Sequence, residues 1–288
     1  MLVAAAVCPH PPLLIPAAMG AAGLTVTVLA GNEQAGNRQA GNGRGRGGAD
    51  AAALASDAEL REVRTSCVLA VAALLAAAPD LLAVVGGAAG AATYTEPVAG
   101  SLQPFGVPCT TGAGQPVLPL SLTVGAWLLE QARQLDQAGP GSRAATRRAS
   151  GDRPGGDVPC RVQLRAVASG TATADCLRLG AELAGLAPRV ALLAMGDASA
   201  RKAVGVHGAA DPAAERYDAE VAAALGAADP GRLARLDPAL DAELMIAGRA
   251  AWQVLAGAAG GVFLRGQLRC SAAPFDVTYL VASWLADG

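Results

Sequence analysis

Apolar runs alternate with longer segments of helical spacing along most of this chain. Residues 2–7 form a short apolar run stopped by prolines, the pattern of a buried strand. A helix is expected over residues 56–77, with Asp57, Glu59, Arg61, Glu62 and Arg64 on its exposed first half. Residues 81–85 read as a second buried strand, closed by Gly86-Gly87, and residues 122–135 as a second helix. A strand over 161–167, a helix over 172–186 and a strand over 189–194 follow in one unit. Asp211-Pro212 and Asp237-Pro238 each place a capping carboxylate before a proline suited to a first helical position. The helices they open are expected to run to about residues 228 and 257. Residues 262–269 and 277–284 read as two strands that can pair as a hairpin. Strands alternating with helices predict an α/β fold: a single domain over residues 1–288, with a central, largely parallel or mixed sheet flanked by helices on both faces.

Two stretches break the pattern. Residues 30–48 are low in complexity, with Ala-Gly-Asn recurring from Ala30, Ala35 and Ala40. Residues 138–159 are rich in Gly, Pro, Ser and Arg. Neither can bury a core, so flexible insertions are expected over 30–50 and 138–160.

Composition narrows the function classes. Hydrophobic residues make up 52% of the 288, ample for a core, while aromatics are only 3%, so small aliphatics must fill it. A net charge of −2 speaks against a nucleic-acid surface. The apolar run over 67–78 ends at Pro79-Asp80, short of the ~20 residues that span a bilayer, so no membrane partner is expected. The six cysteines show no CxxC pair and no zinc spacing, which predicts free thiols. With no signal-peptide pattern at the start, a cytoplasmic protein is expected.

Candidate chemistry gathers where three predicted strands end: Cys8-Pro9-His10-Pro11-Pro12, Gly86-Gly87-Ala88-Ala89-Gly90 and Met195-Gly196-Asp197-Ala198-Ser199. Open α/β sheets bind ligands outside the carboxyl ends of their strands. If the three strands are parallel neighbours, these loops share one edge, with His10 and Asp197 at its centre. His10 is a metal ligand, a general base, or a histidine bonded to its own loop. Asp197 and Ser199 bind a ligand or cap their turn. Glu243 falls at the margin of an apolar arc formed by Leu240, Leu244, Ala247, Ala251, Val254 and Leu255, whereas Asp241 and Arg249 point away from its centre. Glu243 therefore reaches a metal, a cation or solvent. His207 lies in a glycine-rich loop, where an exposed histidine is the simpler expectation. The glycines after Val85 do not give a GxGxxG, and neither a GxSxG nor a P-loop pattern is present.

The run from Ala4 through Cys8-Pro9-His10-Pro11-Pro12 to Pro16 resembles the first strand and histidine loop of the class III extradiol dioxygenase B-subunit superfamily, which also contains the Memo-like proteins. Residues 79–87, 118–127, 194–201, 243–258 and 273–284 follow the same superfamily in order. The resemblance implies an oxidoreductase acting on a small substrate, catechols being the family's own. Its cofactor would be Fe(II) or another divalent metal, held by two histidines and a glutamate. It implies His10 as the first ligand, Glu243 as the carboxylate, and Asp197 where the enzymes carry an acid/base histidine. The chain departs from the family where the second histidine belongs, because Gly86, Gly87, Ala88, Ala89 and Gly90 stand there. A Memo-like binding or interaction protein that has lost the triad is the other reading. The partner expected is a small molecule, and the resemblance leaves a homodimer open.

Overall fold

The structure is a computed structural model that describes residues 1–20, 46–138, 160–200 and 211–286. Apolar runs flanked by turn residues become strands: β1 (Leu2–Cys8), β2 (Leu81–Ala88), β3 (Ala92–Thr95), β4 (Ala99–Ser101), β5 (Thr110–Gly112), β6 (Arg161–Ala168), β7 (Val190–Met195), β8 (Leu264–Ala272) and β9 (Tyr279–Ala286). The segments of helical period become α1 (Pro16–Gly20), α2 (Arg46–Ala76), α3 (Leu120–Ala138), α4 (Thr173–Ala184), α5 (Pro212–Gly226), α6 (Pro230–Ala234), α7 (Leu240–Glu243) and α8 (Arg249–Ala258). Helix α2 starts ten residues before the expected position, so residues 46–50 are helical rather than part of an insertion. The rest of the insertion expected over 30–50, and all of the second except Ala138 and Cys160, lie outside the described residues.

Seven strands form one mixed sheet in the order β3-β6-β2-β7-β1-β9-β8, and β4 and β5 pair separately. The four central strands β6, β2, β7 and β1 are parallel, while β3, β9 and β8 add antiparallel edges. Alternate residues of each central strand feed opposite layers, as the two-residue period of a strand requires. Ala5, Val7, Ala83, Val85, Leu192 and Ala194 pack beneath α4, α5, α6 and α8. Ala4, Ala6, Leu82, Val84, Ala191 and Leu193 pack beneath α2 and α3. Both faces are covered, which is why these strands read as continuous apolar runs.

Of the two capping carboxylates the sequence predicts, Asp211 opens its helix, and Asp229 caps a further one. Asp211 accepts from the Ala213 amide at 2.8 Å at the start of α5, and Asp229 accepts from the Arg232 amide at 3.0 Å at the start of α6. Asp237 accepts from the Ala239 amide at 2.9 Å in the turn before α7 but does not cap it: the cap is Ala239, which makes no side-chain cap bond. The helix Asp237 was expected to carry to residue 257 is instead two helices. Met245 stands in the left-handed region at φ 53°. The backbone between α7 and α8 bonds sideways to the loop after β7: Ala200 N–H donates to the Leu244 carbonyl at 3.1 Å, and Ala247 N–H to the Asp197 carbonyl at 3.2 Å. Those tertiary bonds occupy the Leu244 carbonyl and the Ala247 amide, which a continuous helix would bond within itself.

Candidate functional site

The parallel register ends β1 and β7 level, and β2 runs two residues further beside β6, to Ala88. Cys8 pairs with Met195, and Met195 pairs with Gly86. The three segments singled out in the sequence therefore lie side by side at the carboxyl edge, although Gly86, Gly87 and Ala88 are still strand rather than loop. Prolines turn the chain away directly after His10, and Pro12–Leu14 forms a short 3-10 turn. Arg64 of α2 holds that turn by donating to the carbonyls of Leu13 and Leu14.

His10 and Asp197 meet across the edge. The His10 backbone N–H donates to Asp197 Oδ1 at 2.8 Å, and His10 Nδ1 lies 3.5 Å from the same oxygen. His10 is 9% exposed and its Nδ1 is buried without a hydrogen-bond partner. Tyr279, at the start of β9, is also buried, and burial together with the Asp197 carboxylate pushes its phenol up from the ordinary range. Cys67 of α2 is buried near Cys8, and burial raises its thiol. All six cysteines are free.

Ser199 is not a surface group. It is fully buried, its hydroxyl donates to Asp218 Oδ2 at 2.7 Å, and its amide donates to Asp218 Oδ1 at 3.0 Å. This carboxylate, reaching in from α5, fixes the loop that carries Asp197. Loop position 199 and helix position 218 are joined only by the fold, so no local pattern marks Asp218 beforehand. Asp218→Ala strips both partners from a buried hydroxyl and amide, and should lower the unfolding free energy by about 2–3 kcal/mol. Urea denaturation with an unchanged m-value would measure it.

At the end of β2, Gly86 has no room for a side chain, whereas Gly90 opens on free space. A Cβ on Gly86 would collide with Ser121 Oγ of α3 and lie 2.7 Å from Ser121 Cβ. A Cβ on Gly87 would meet the Ala247 carbonyl at 3.3 Å. The Ser121 hydroxyl donates to the Gly87 carbonyl at 2.7 Å, so the contact is bonded as well as tight. The strand end expected from the resemblance to hold a histidine is packed against α3 instead.

Glu243 takes the solvent-facing one of its alternatives. It ends the four-residue α7 with its side chain exposed, because the break at Met245 separates Leu240 and Leu244 from the arc of α8. The same break brings in the two charges that a continuous helix would have turned outward. Arg249 is 1% exposed; it donates to Asp241 Oδ2 at 2.6 Å, to Gln253 Oε1 at 2.7 Å and to the Thr171 carbonyl at 3.2 Å, and also bonds the Ser169 carbonyl. His207 lies outside the described residues.

Among the described residues, no three His, Cys, Asp or Glu side chains are grouped so as to hold a metal ion. With Gly86 filled against Ser121 and Glu243 facing solvent, the described residues do not fit the Fe(II) triad implied by the resemblance. No helix among the described residues is long and apolar enough to cross a membrane.

No protein-family model matches the chain, and no curated protein matches it. Among solved structures it is similar to an uncharacterized protein from Escherichia coli K12, at 14% identity over 99% of this chain and 100% of that one, with a TM-score of 0.42.

Proposed function

We propose that this chain is a cytoplasmic small-molecule-binding protein on an extradiol dioxygenase-like scaffold, taking its ligand at the carboxyl edge of β1, β7 and β2. The convergence of His10 and Asp197 carries this reading: an imidazole and a carboxylate from separate strands stand 3.5 Å apart at the edge where α/β sheets bind ligands. The packing of Gly86 against Ser121 favours binding over ring cleavage by the family's mechanism, because that mechanism needs a second imidazole near the first. Free cysteines suit a reducing compartment.

A second reading, a metal-dependent oxidoreductase, draws on the same pair. Imidazoles that bind metals commonly donate their other ring N–H to a carboxylate, and Asp197 stands where such a carboxylate would. Its remaining ligands would have to come from outside the described residues. Anaerobic Fe(II) loading followed by catechol in air separates the two readings. The binding reading expects no ring-cleavage product and no stoichiometric iron in wild type or in His10→Ala. Iron retained by wild type and lost in His10→Ala, with ring cleavage that follows the iron, would replace it with the second.

A further inference from the structure

We infer that Asp197 is a positioning residue that holds His10 in the Nδ1–H tautomer, so that Nε2 presents its lone pair to a proton-donating group of the ligand. This inference rests on the reading of the β1–β7 edge as the ligand site. It does not rest on any metal.

Three observations carry it. Asp197 Oδ1 already accepts from the His10 backbone N–H at 2.8 Å, which fixes the carboxylate beside the ring. The ring nitrogen on that side, Nδ1, is buried, lies 3.5 Å from Oδ1 and is offered no other partner. The loop carrying Asp197 is anchored from behind by Asp218 through Ser199 and from the side by Ala247 N–H on its carbonyl. The loop's backbone is therefore fixed, and the carboxylate can swing away only by giving up the bond from the His10 N–H.

A neutral imidazole carries one proton, on either Nδ1 or Nε2. If Nδ1 were bare, its lone pair would face a carboxylate oxygen inside the protein, where water cannot separate the two. With the proton on Nδ1, the same contact becomes attractive. A separation of 3.5 Å is long for a hydrogen bond, but contacts of this kind shorten when a ligand closes the site. Free histidine favours the opposite tautomer, so the carboxylate's influence is directly readable. The pairing follows the logic by which a buried carboxylate orients a histidine base. Here the histidine faces a ligand, because Ser199 is committed to Asp218.

The chain has only two histidines, which makes the test direct. His207→Gln leaves His10 as the sole imidazole. Long-range 1H–15N correlation spectra of histidine-labelled, EDTA-treated protein, at a pH where imidazole is neutral, distinguish a protonated ring nitrogen from a bare one. The expected spectrum has Nδ1 protonated and Nε2 bare. Asp197→Ala in the same background should revert to the Nε2–H form of free histidine. An Nε2–H imidazole in the parent overturns the inference, even if the Asp197 variant does not fold. So does a tautomer that Asp197→Ala leaves unchanged in a folded protein. Neither readout depends on ligand, so a protein with the Nδ1–H tautomer that binds no small molecule would count against the proposed function alone.

Discussion

Replacing Arg249 with methionine should lower the unfolding free energy by about 3–5 kcal/mol, the range for removing one member of a buried ion pair. The guanidinium is 1% exposed and donates to four groups from three parts of the chain. It bonds Asp241 in α7, the Ser169 and Thr171 carbonyls between β6 and α4, and Gln253 one turn further along α8. Methionine keeps much of the stem's volume and none of the donors. Two carbonyls, the Gln253 amide oxygen and a carboxylate lose their partner together, and Asp241 Oδ1 is already buried without one. Asp241 shows the strain of this arrangement. Burial pushes its carboxyl up, and Arg249 opposes the shift. The double variant Arg249→Met with Asp241→Leu removes both charges, and should recover part of the loss, because an unpaired buried carboxylate costs more than none. Guanidinium denaturation of the single and double variants measures both effects. A single variant within 1 kcal/mol of wild type would show that the network is solvated.

The layered fold was legible because β1, β2 and β7 are runs of small aliphatics ended by Gly or Pro, and most helices carry their own spacing. The placement of His10 beside Asp197 was legible for the same reason. Parallel neighbours end at one edge, so loops leaving β1, β2 and β7 had to meet there. What failed was the segment from residue 237 to residue 257. Leu240, Leu244, Ala247, Ala251 and Leu255 keep a helical spacing throughout, and only Gly248 hinted at an interruption. The break comes from backbone bonds to residues 197 and 200, about fifty positions away, and no local period records such a bond.

That single failure misplaced the charges of the segment, the Asp241–Arg249 pair above all. Projected on one continuous helix, Glu243 lies at the core margin and Arg249 points outward; in the structure Glu243 is exposed and Arg249 is enclosed. The glycines after Val85 were read from the sequence as missing ligands. The structure adds the cause: Ser121 of α3 leaves Gly86 no room for a Cβ, so the substitution and the helix packing are one feature. Ser121 itself gave no signal, because a serine in a first helical turn is ordinary.

The same rule of close approach yields the other large effect. Gly180 of α4 and Gly257 of α8 face each other where the two helices cross. A Cβ on Gly180 would run into the Val254 carbonyl oxygen and lie 2.9 Å from the Gly257 carbonyl carbon. A Cβ on Gly257 would run into the Leu177 carbonyl oxygen and lie 2.7 Å from the Leu177 carbonyl carbon. These neighbours are backbone atoms of packed helices, so no side chain can rotate aside and the helices must separate. In an isolated helix, glycine to alanine is worth about 1 kcal/mol in favour of alanine. Here the sign should reverse. Gly180→Ala or Gly257→Ala is expected to cost about 3 kcal/mol net, at the upper end of overpacking effects. Separation of α8 would also loosen Trp252, whose ring lies over Gly248 beside Gly196 and the Asp197 loop. Thermal unfolding gives the stability change, and near-ultraviolet circular dichroism reports the tryptophan. A stabilised Gly180→Ala protein with an unchanged tryptophan signal would mean that the two helices do not cross at these glycines.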